Sequence, residues 1–291
     1  MTQTIGNPLS WGAQALGLAG HDIAEVAQEV RGRTAADPLI RRIDTEDLRE
    51  ALRLGLADFA ALRTDVMAAC VIYPVIGMAL IWAAFHQNAL PLVFPLISGF
   101  LLIAPAAAIG LYEMSRRREA GLPASWGDAF AVLRSPRIGA MLVLSVGLFA
   151  LFLTWLVVAH MVFLLTLGPD LPASVAVFLS EVFTTPAGWA MMLIGIAVGF
   201  VFAAVTLAAT VVTFPMLVDR PVGLPLAIVT SLRVTGRNPS LVAVWGAVLA
   251  GSMVLGSLPF LLGLAVVLPV LGHASWHLYR RAVGFAGEVR A

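Results

Sequence analysis

The sequence contains no lysine; all 18 of its basic residues are arginine. It has a single cysteine, Cys70, which excludes an intrachain disulfide and a cysteine-based metal cluster drawn from one chain. Charge is scarce: 12% of the 291 residues are charged, against roughly 25% in an average soluble domain. The formal net charge of +1 leaves no global field to attract a nucleic acid. No basic stretch followed by a short apolar one opens the chain, so no cleavable signal peptide is expected, and the first apolar span should serve as the insertion signal. The sequence holds no nucleotide-binding glycine loop, no nucleophile elbow and no HExxH motif.

Apolar residues fill this space. They make up 60% of the chain and recur in runs of about twenty or more, long enough to cross a bilayer. The runs are continuous rather than alternating, which excludes a β-barrel. The expected class is an all-α, polytopic helical membrane protein. Six spans are expected, at about 66–85, 91–112, 138–167, 186–217, 239–256 and 258–279. The last two come from one apolar region, 241–278, which at 1.5 Å per residue is about 57 Å long against a hydrocarbon core of roughly 30 Å. It is expected to break at Gly256-Ser257-Leu258-Pro259. Residues 1–43 should form a mobile cytoplasmic tail with one weak helix near 13–30, and 284–291 a second tail.

A pattern recurs three times: an amphipathic segment, an arginine, a helix-starting residue, then a span. The copies are 48–63, 122–134 and 224–237, followed by Thr64-Asp65, Ser135-Pro136 and Asn238-Pro239. The spans thus group into three units of interfacial amphipathic helix plus hairpin. In the first copy Asp44 or Thr45 can cap the helix. Leu48, Leu52, Leu56, Phe59 and Leu62 then share one face, with Arg49, Glu50, Arg53 and Asp58 pointing elsewhere. Such a helix is expected to lie in the membrane interface. Span four should open at Thr185-Pro186. It carries Gly195 and Gly199, a GxxxG step that points to close helix packing, and Thr206, Thr210 and Thr213, expected to bond back to their own helix carbonyls.

The arginines choose an orientation. All 18 fall before span one, between spans two and three, between four and five, or after span six, and none falls in 86–90, 168–185 or at 257. By the positive-inside rule both termini are cytoplasmic, in a bacterial inner membrane. Arg116, Arg117, Arg118, Arg134, Arg220, Arg237 and Arg280 are expected as interfacial anchors, with Trp126 in the aromatic belt.

Candidate chemistry is sparse. No Asp, Glu or Arg lies inside the six spans, which argues against a proton-driven pump, since that chemistry needs a titratable group at depth. His273 and His277 are four apart on one helix face and are weak candidates to bind a metal or flank a haem. The competing reading is a hydrogen-bonded pair near a helix end. His160 lies at the opposite depth. No catalytic residue, metal site or cofactor is assigned.

Four stretches resemble a known family: LYEMSRRREAG at 111–121, VFTTPAGW at 182–189, FPMLVDRPVG at 214–223 and LPVLGHASWHLYR at 268–280. They are similar to a bacterial family of integral membrane proteins, domain of unknown function 2189, over about 40–283. The resemblance implies an inner-membrane protein and no particular activity. Some members carry the label cytochrome c oxidase subunit I, yet no residue of the oxidase histidine motif carries over.

The expected role is a non-enzymatic accessory, scaffold or assembly component of a membrane complex. Its partners would be the lipid bilayer and other membrane proteins or a second copy, and not nucleic acid. The alternatives are a transporter or channel for a small neutral or lipophilic solute, suggested by the proline-interrupted spans, and a haem- or copper-associated protein linked to a respiratory oxidase.

Overall fold

The structure is a computed structural model describing residues 28, 30–32, 37–86, 89–135 and 137–285; of residues 63–70, 100, 101, 126 and 133 it describes the backbone course only. Most of the weak helix expected near 13–30 lies outside these residues.

The described chain opens on a short strand, β1 (Leu39–Ile40), and a long helix, α1 (Thr45–Cys70). Asp44 caps α1. Its Oδ1 accepts the backbone N–H groups of Glu46 at 2.9 Å and Asp47 at 3.0 Å, and Asp47 Oδ2 accepts that of Asp44 at 3.1 Å. This reciprocal arrangement satisfies otherwise orphaned donors. The helix does not stop near Arg63, because Thr64-Asp65 offers no proline to end it. The break comes at Val71, ahead of α2 (Ile72–His86). Pro74 causes it: proline has no N–H for the carbonyl four residues earlier, and its ring crowds that carbonyl.

The return helix is α3 (Val93–Ala107), jointed at Ala108 to α4 (Ile109–Glu119), one turn beyond Pro105. Next comes α5 (Trp126–Ala131), where Ser125 and Asp128 form a capping box. Then come α6 (Ile138–Thr166), the short α7 (Val175–Thr184) and α8 (Pro186–Thr210). Thr185 caps α8, accepting the Gly188 N–H at 3.0 Å while donating to the Glu181 carbonyl at 2.7 Å. A joint at Val211–Val212, for which Pro215 is the cause, separates α8 from α9 (Thr213–Asp219). Of the three threonines, Thr210 donates to the Thr206 carbonyl and Thr213 to the Ala209 carbonyl. The Thr206 hydroxyl makes no such bond.

The remaining helices are α10 (Leu224–Arg237), α11 (Pro239–Ser257) and α12 (Leu264–Ala282). The chain leaves helical geometry at Ser135 and Asn238, the residues before Pro136 and Pro239. Proline disfavours helix in the residue ahead of it. The break between the last two helices is the six-residue turn 258–263, in which Phe260 (φ 50°) and Leu261 (φ 65°) are left-handed. The last helix therefore starts at Leu264, not at the expected Leu258. Strand β2 (Val283–Gly284) closes the chain antiparallel to β1, with Leu39 opposite Gly284 and Ile40 opposite Val283. Asn238 clamps this pair: its Oδ1 accepts the Ile43 N–H at 3.0 Å and its Nδ2 donates to the Arg41 carbonyl at 3.1 Å. Residues 39–43 and 283–285, expected in or beside the tails, are thus built into the fold.

The two ends of the bundle differ. The main core lies at the arginine-rich end, around Phe214, Trp245, Trp276, Leu278 and Tyr279, each at most 2% exposed. Towards the other end a small cluster of Leu102, Phe152, Trp155 and Ala159 holds α3 to α6. Around it large apolar side chains face outward, Val146, Phe200 and Leu255 among them. The segments 138–166, 186–219 and 239–257 are long and apolar enough to cross a membrane, and shorter apolar helices run over 72–86, 90–99 and 175–184. An apolar exterior over these segments suits lipid as the solvent.

Candidate functional site

Helix α12 is enclosed by its neighbours, and α1 makes the most extensive contact with it. Gly55 sets their separation. A Cβ there would lie 2.5 Å from the backbone nitrogen of Ala274, so only glycine permits this approach. Leu48 and Ala51 are buried at the contact, and Leu52, Phe59 and Leu62 pack at its margin. The leucine stripe expected in the lipid interface is therefore turned largely onto protein, although Leu56 stays exposed.

One turn beyond Gly55, Asp58 reaches the two histidines of α12. It is 5% exposed and does not point away from the packed face. His277 Nε2 lies 2.9 Å from Asp58 Oδ2. Ser115, from α4, donates its hydroxyl to the same oxygen at 2.6 Å. Arg118, one turn further along α4, places Nε 3.4 Å from Asp58 Oδ1 and donates Nη1–H to the Ala57 carbonyl at 2.8 Å. His273 Nδ1 lies 2.7 Å from Ser115 Oγ.

Valence assigns the protons. An ionised carboxylate only accepts, so the single Ser115 proton goes to Asp58, and His273 must carry its proton on Nδ1 and donate it to Ser115 Oγ. His273 Nε2 is then a bare acceptor. Among the described residues it is buried without a hydrogen-bond partner. Burial opposes the charge on Asp58, but the hydrogen bonds from His277 and Ser115 and the nearby histidines outweigh it, holding the carboxyl below its ordinary value. The order of bonds matters chemically. In a serine nucleophile triad the histidine takes the serine proton and the carboxylate orients the histidine. Here serine stands between carboxylate and histidine with its proton committed to the carboxylate, so the cluster is a structural tie and not an activated nucleophile.

A lattice of ion pairs surrounds it. Arg280 spans Glu119 of α4 at 2.9 Å and Asp219 of α9 at 3.7 Å. Trp276 Nε1 donates to Glu119 at 2.8 Å and the Tyr279 hydroxyl to Asp219 at 2.8 Å. Arg281 reaches Asp47 of α1 at 2.7 Å. Arg116 pairs with Glu113 at 2.7 Å, Arg117 with Asp128 at 3.0 Å and Arg220 with Asp219 at 3.5 Å. Arg220 also sits 4.1 Å over the Phe285 ring. Arginines expected as lipid anchors thus bind α12, α4, α9 and α1 to one another. Arg134 and Arg237 are exposed, and the Trp126 side chain lies outside the described residues.

His160, exposed on α6, stacks on Phe163 with centroids 6.2 Å apart and does not join the α12 pair. Among the described residues no three His, Cys, Asp or Glu side chains converge as a metal site. Of the GxxxG pair, Gly199 faces the Trp155 ring, 3.0 Å from where a Cβ would stand, whereas a Cβ on Gly195 would meet nothing within 4 Å. Sequence reasoning named the histidine pair but missed Asp58 and Ser115. The available signal was Gly55, three residues before Asp58 and out of place in an exposed helix.

No curated protein and no solved structure matches the chain. One family model does match, over residues 93–219 from the start of α3 to the end of α9, and that family is described as predicted integral membrane protein, DUF2189.

Proposed function

We propose that the chain crosses the bacterial inner membrane six times, through α2, α3, α6, α8, α11 and α12, with both termini in the cytoplasm. Helices α2 and α3 have 15 residues each, about 22 Å at 1.5 Å per residue and short of a roughly 30 Å core. Their continuations α1 and α4 supply the remaining depth. In this reading the arginine-free segments 86–90, 168–185 and 257–263 share the opposite side of the membrane, with Asp170 and Glu181 as their only charges. The test replaces Cys70 with alanine and installs single cysteines at Ala120, Asp170 or Gly236. A membrane-impermeant maleimide on intact spheroplasts should label only position 170. Labelling at 120 or 236 overturns the orientation.

The role we propose is a non-catalytic accessory or scaffold in a larger membrane assembly. The observation that carries it is the lattice around α12. It spends the polar side chains at the arginine-rich end on joining the three units into one block, and leaves broad apolar flanks on α6, α8 and α11 as working surfaces. Native electrophoresis of mildly solubilised membranes should show a species well above the 30.8 kDa chain. Phe200→Ala, at a side chain 71% exposed on the α8 flank, should shift it downward. Migration as a single chain in both cases removes the scaffold role.

A further inference from the structure

At the arginine-free end, α3, α6, α7 and α8 enclose a cavity of about 460 Å³. This lies within the roughly 300–1,000 Å³ range of ligand sites. Its floor is Trp155, Ala159 and Phe163 of α6, its lid Phe178 and Val182 of α7. Two small residues make the room, Ala159 on one wall and Gly195 on the other. Trp155 has no polar group to offer a ligand there, because its Nε1–H already donates to the Pro95 carbonyl at 3.0 Å.

The surroundings identify the occupant. Phe85, Phe94, Phe183 and Ile196 line the cavity and are also exposed on the outer surface, so its mouth opens sideways onto the apolar belt. In a protein whose exterior there is lipid, the medium meeting that mouth is acyl chain. An unfilled apolar void forfeits the dispersion contacts that a close-packed interior makes, and a hydrocarbon chain sliding in laterally restores them without any polar group being desolvated. The headgroup would emerge near the α7 lid. No arginine lies in that segment; the charges of 168–185 are Asp170 and Glu181, both acidic. An anionic headgroup meets like charge and an ammonium meets opposite charge.

We propose that this cavity binds one acyl chain of an amine-bearing, zwitterionic phospholipid, held between α6 and α8 under α7. The proposal rests on the membrane reading above and not on the scaffold role.

The test uses the full-length protein in proteoliposomes containing phosphatidylethanolamine with a photoactivatable diazirine in mid-chain, and a matched phosphatidylglycerol probe in parallel. After irradiation, peptide mapping should place adducts on cavity residues such as Phe178 and Met191. Gly195→Leu grows into the space where nothing lies within 4 Å, so the fold should be retained while cavity labelling falls about five-fold or more as the void is filled. Gly147→Leu is the control: it is equally uncrowded, exposed on α6 and outside the cavity, and it should leave cavity labelling unchanged. Ala159→Leu enters the same space from α6 and replaces Gly195→Leu if that variant fails to fold. Cavity labelling undiminished in both filled variants overturns the site. Equal or stronger labelling by the phosphatidylglycerol probe overturns the headgroup assignment. Failure of the membrane reading is distinct, since the protein would then not sediment with the vesicles.

Discussion

Gly55→Ala is expected to leave little folded protein. The added Cβ would stand 2.5 Å from the Ala274 nitrogen and 2.7 Å from its Cα and Cβ, and these are atoms of a buried helix with no rotamer to yield. Overpacking a core with flexible side chains costs about 1–3 kcal/mol; with backbone as the obstacle the cost should reach about 3 kcal/mol or more. The separation would also draw Asp58 away from His277 and Ser115, so the packing and polar losses come together. The sign makes the prediction sharp. On a helix lying in the lipid interface, glycine to alanine would stabilise by about 1 kcal/mol through helix propensity. Folded yield after mild-detergent extraction, with thermal unfolding of whatever survives, decides between the two. A gain in stability would return α1 to the membrane surface.

The second large effect is expected at Asp58. Asp58→Ala removes the one acceptor shared by Ser115, His277 and Arg118, leaving three donors buried or half-buried around an empty place. Losing one partner of a buried charged cluster typically costs about 3–5 kcal/mol, and the lower part of that range is expected because Arg118 retains access to water. Asp58→Asn keeps one acceptor oxygen and should fall between alanine and wild type. Linkage gives an independent readout. The Asp58 carboxyl titrates lower in the folded protein than its ordinary value of 3.8. Its contribution is therefore complete above that value and is lost as the pH falls below it, through the lowered folded value. Thermal unfolding followed from pH 6 to pH 3 should show a destabilisation of wild type on acidification that shrinks in Asp58→Asn. Identical acid profiles would mean that Asp58 does not carry the tie.

Much of the fold was legible because it depends on neighbours in the chain. Continuous apolar runs gave the helical class. Thr185-Pro186 and Asn238-Pro239 marked helix starts, since proline suits the first turn and its ring disfavours helix in the residue before it. The break before the last helix was legible as an excess of length and at its place, since α11 ends at Ser257 inside the expected Gly256–Pro259 stretch, though the length of the turn was not. Phe260 and Leu261 adopt left-handed conformations that no sequence rule expects of large apolar residues, and they move the start of that helix to Leu264. The joint in α8–α9 is a proline effect that the sequence also held, at Pro215, inside a stretch read as a single span.

The candidate site was half visible. His273 and His277 stood out because a four-residue spacing puts them on one helix face. The face that Asp58 takes could not be read, because an apolar stripe with 3.6-residue period fits a lipid surface and a neighbouring helix equally well. The choice lies with a helix whose His277 is 219 positions away from Asp58. The sequence by itself determined that the chain is helical and apolar and that its arginines fall outside the long apolar runs, since these are properties of composition and local order. Only the tertiary structure decided that the charges bind one another and that α1 packs on α12. Burying Asp58 is tolerable only where Ser115, His277 and Arg118 arrive from other elements to share its charge, and that convergence exists nowhere in the local sequence.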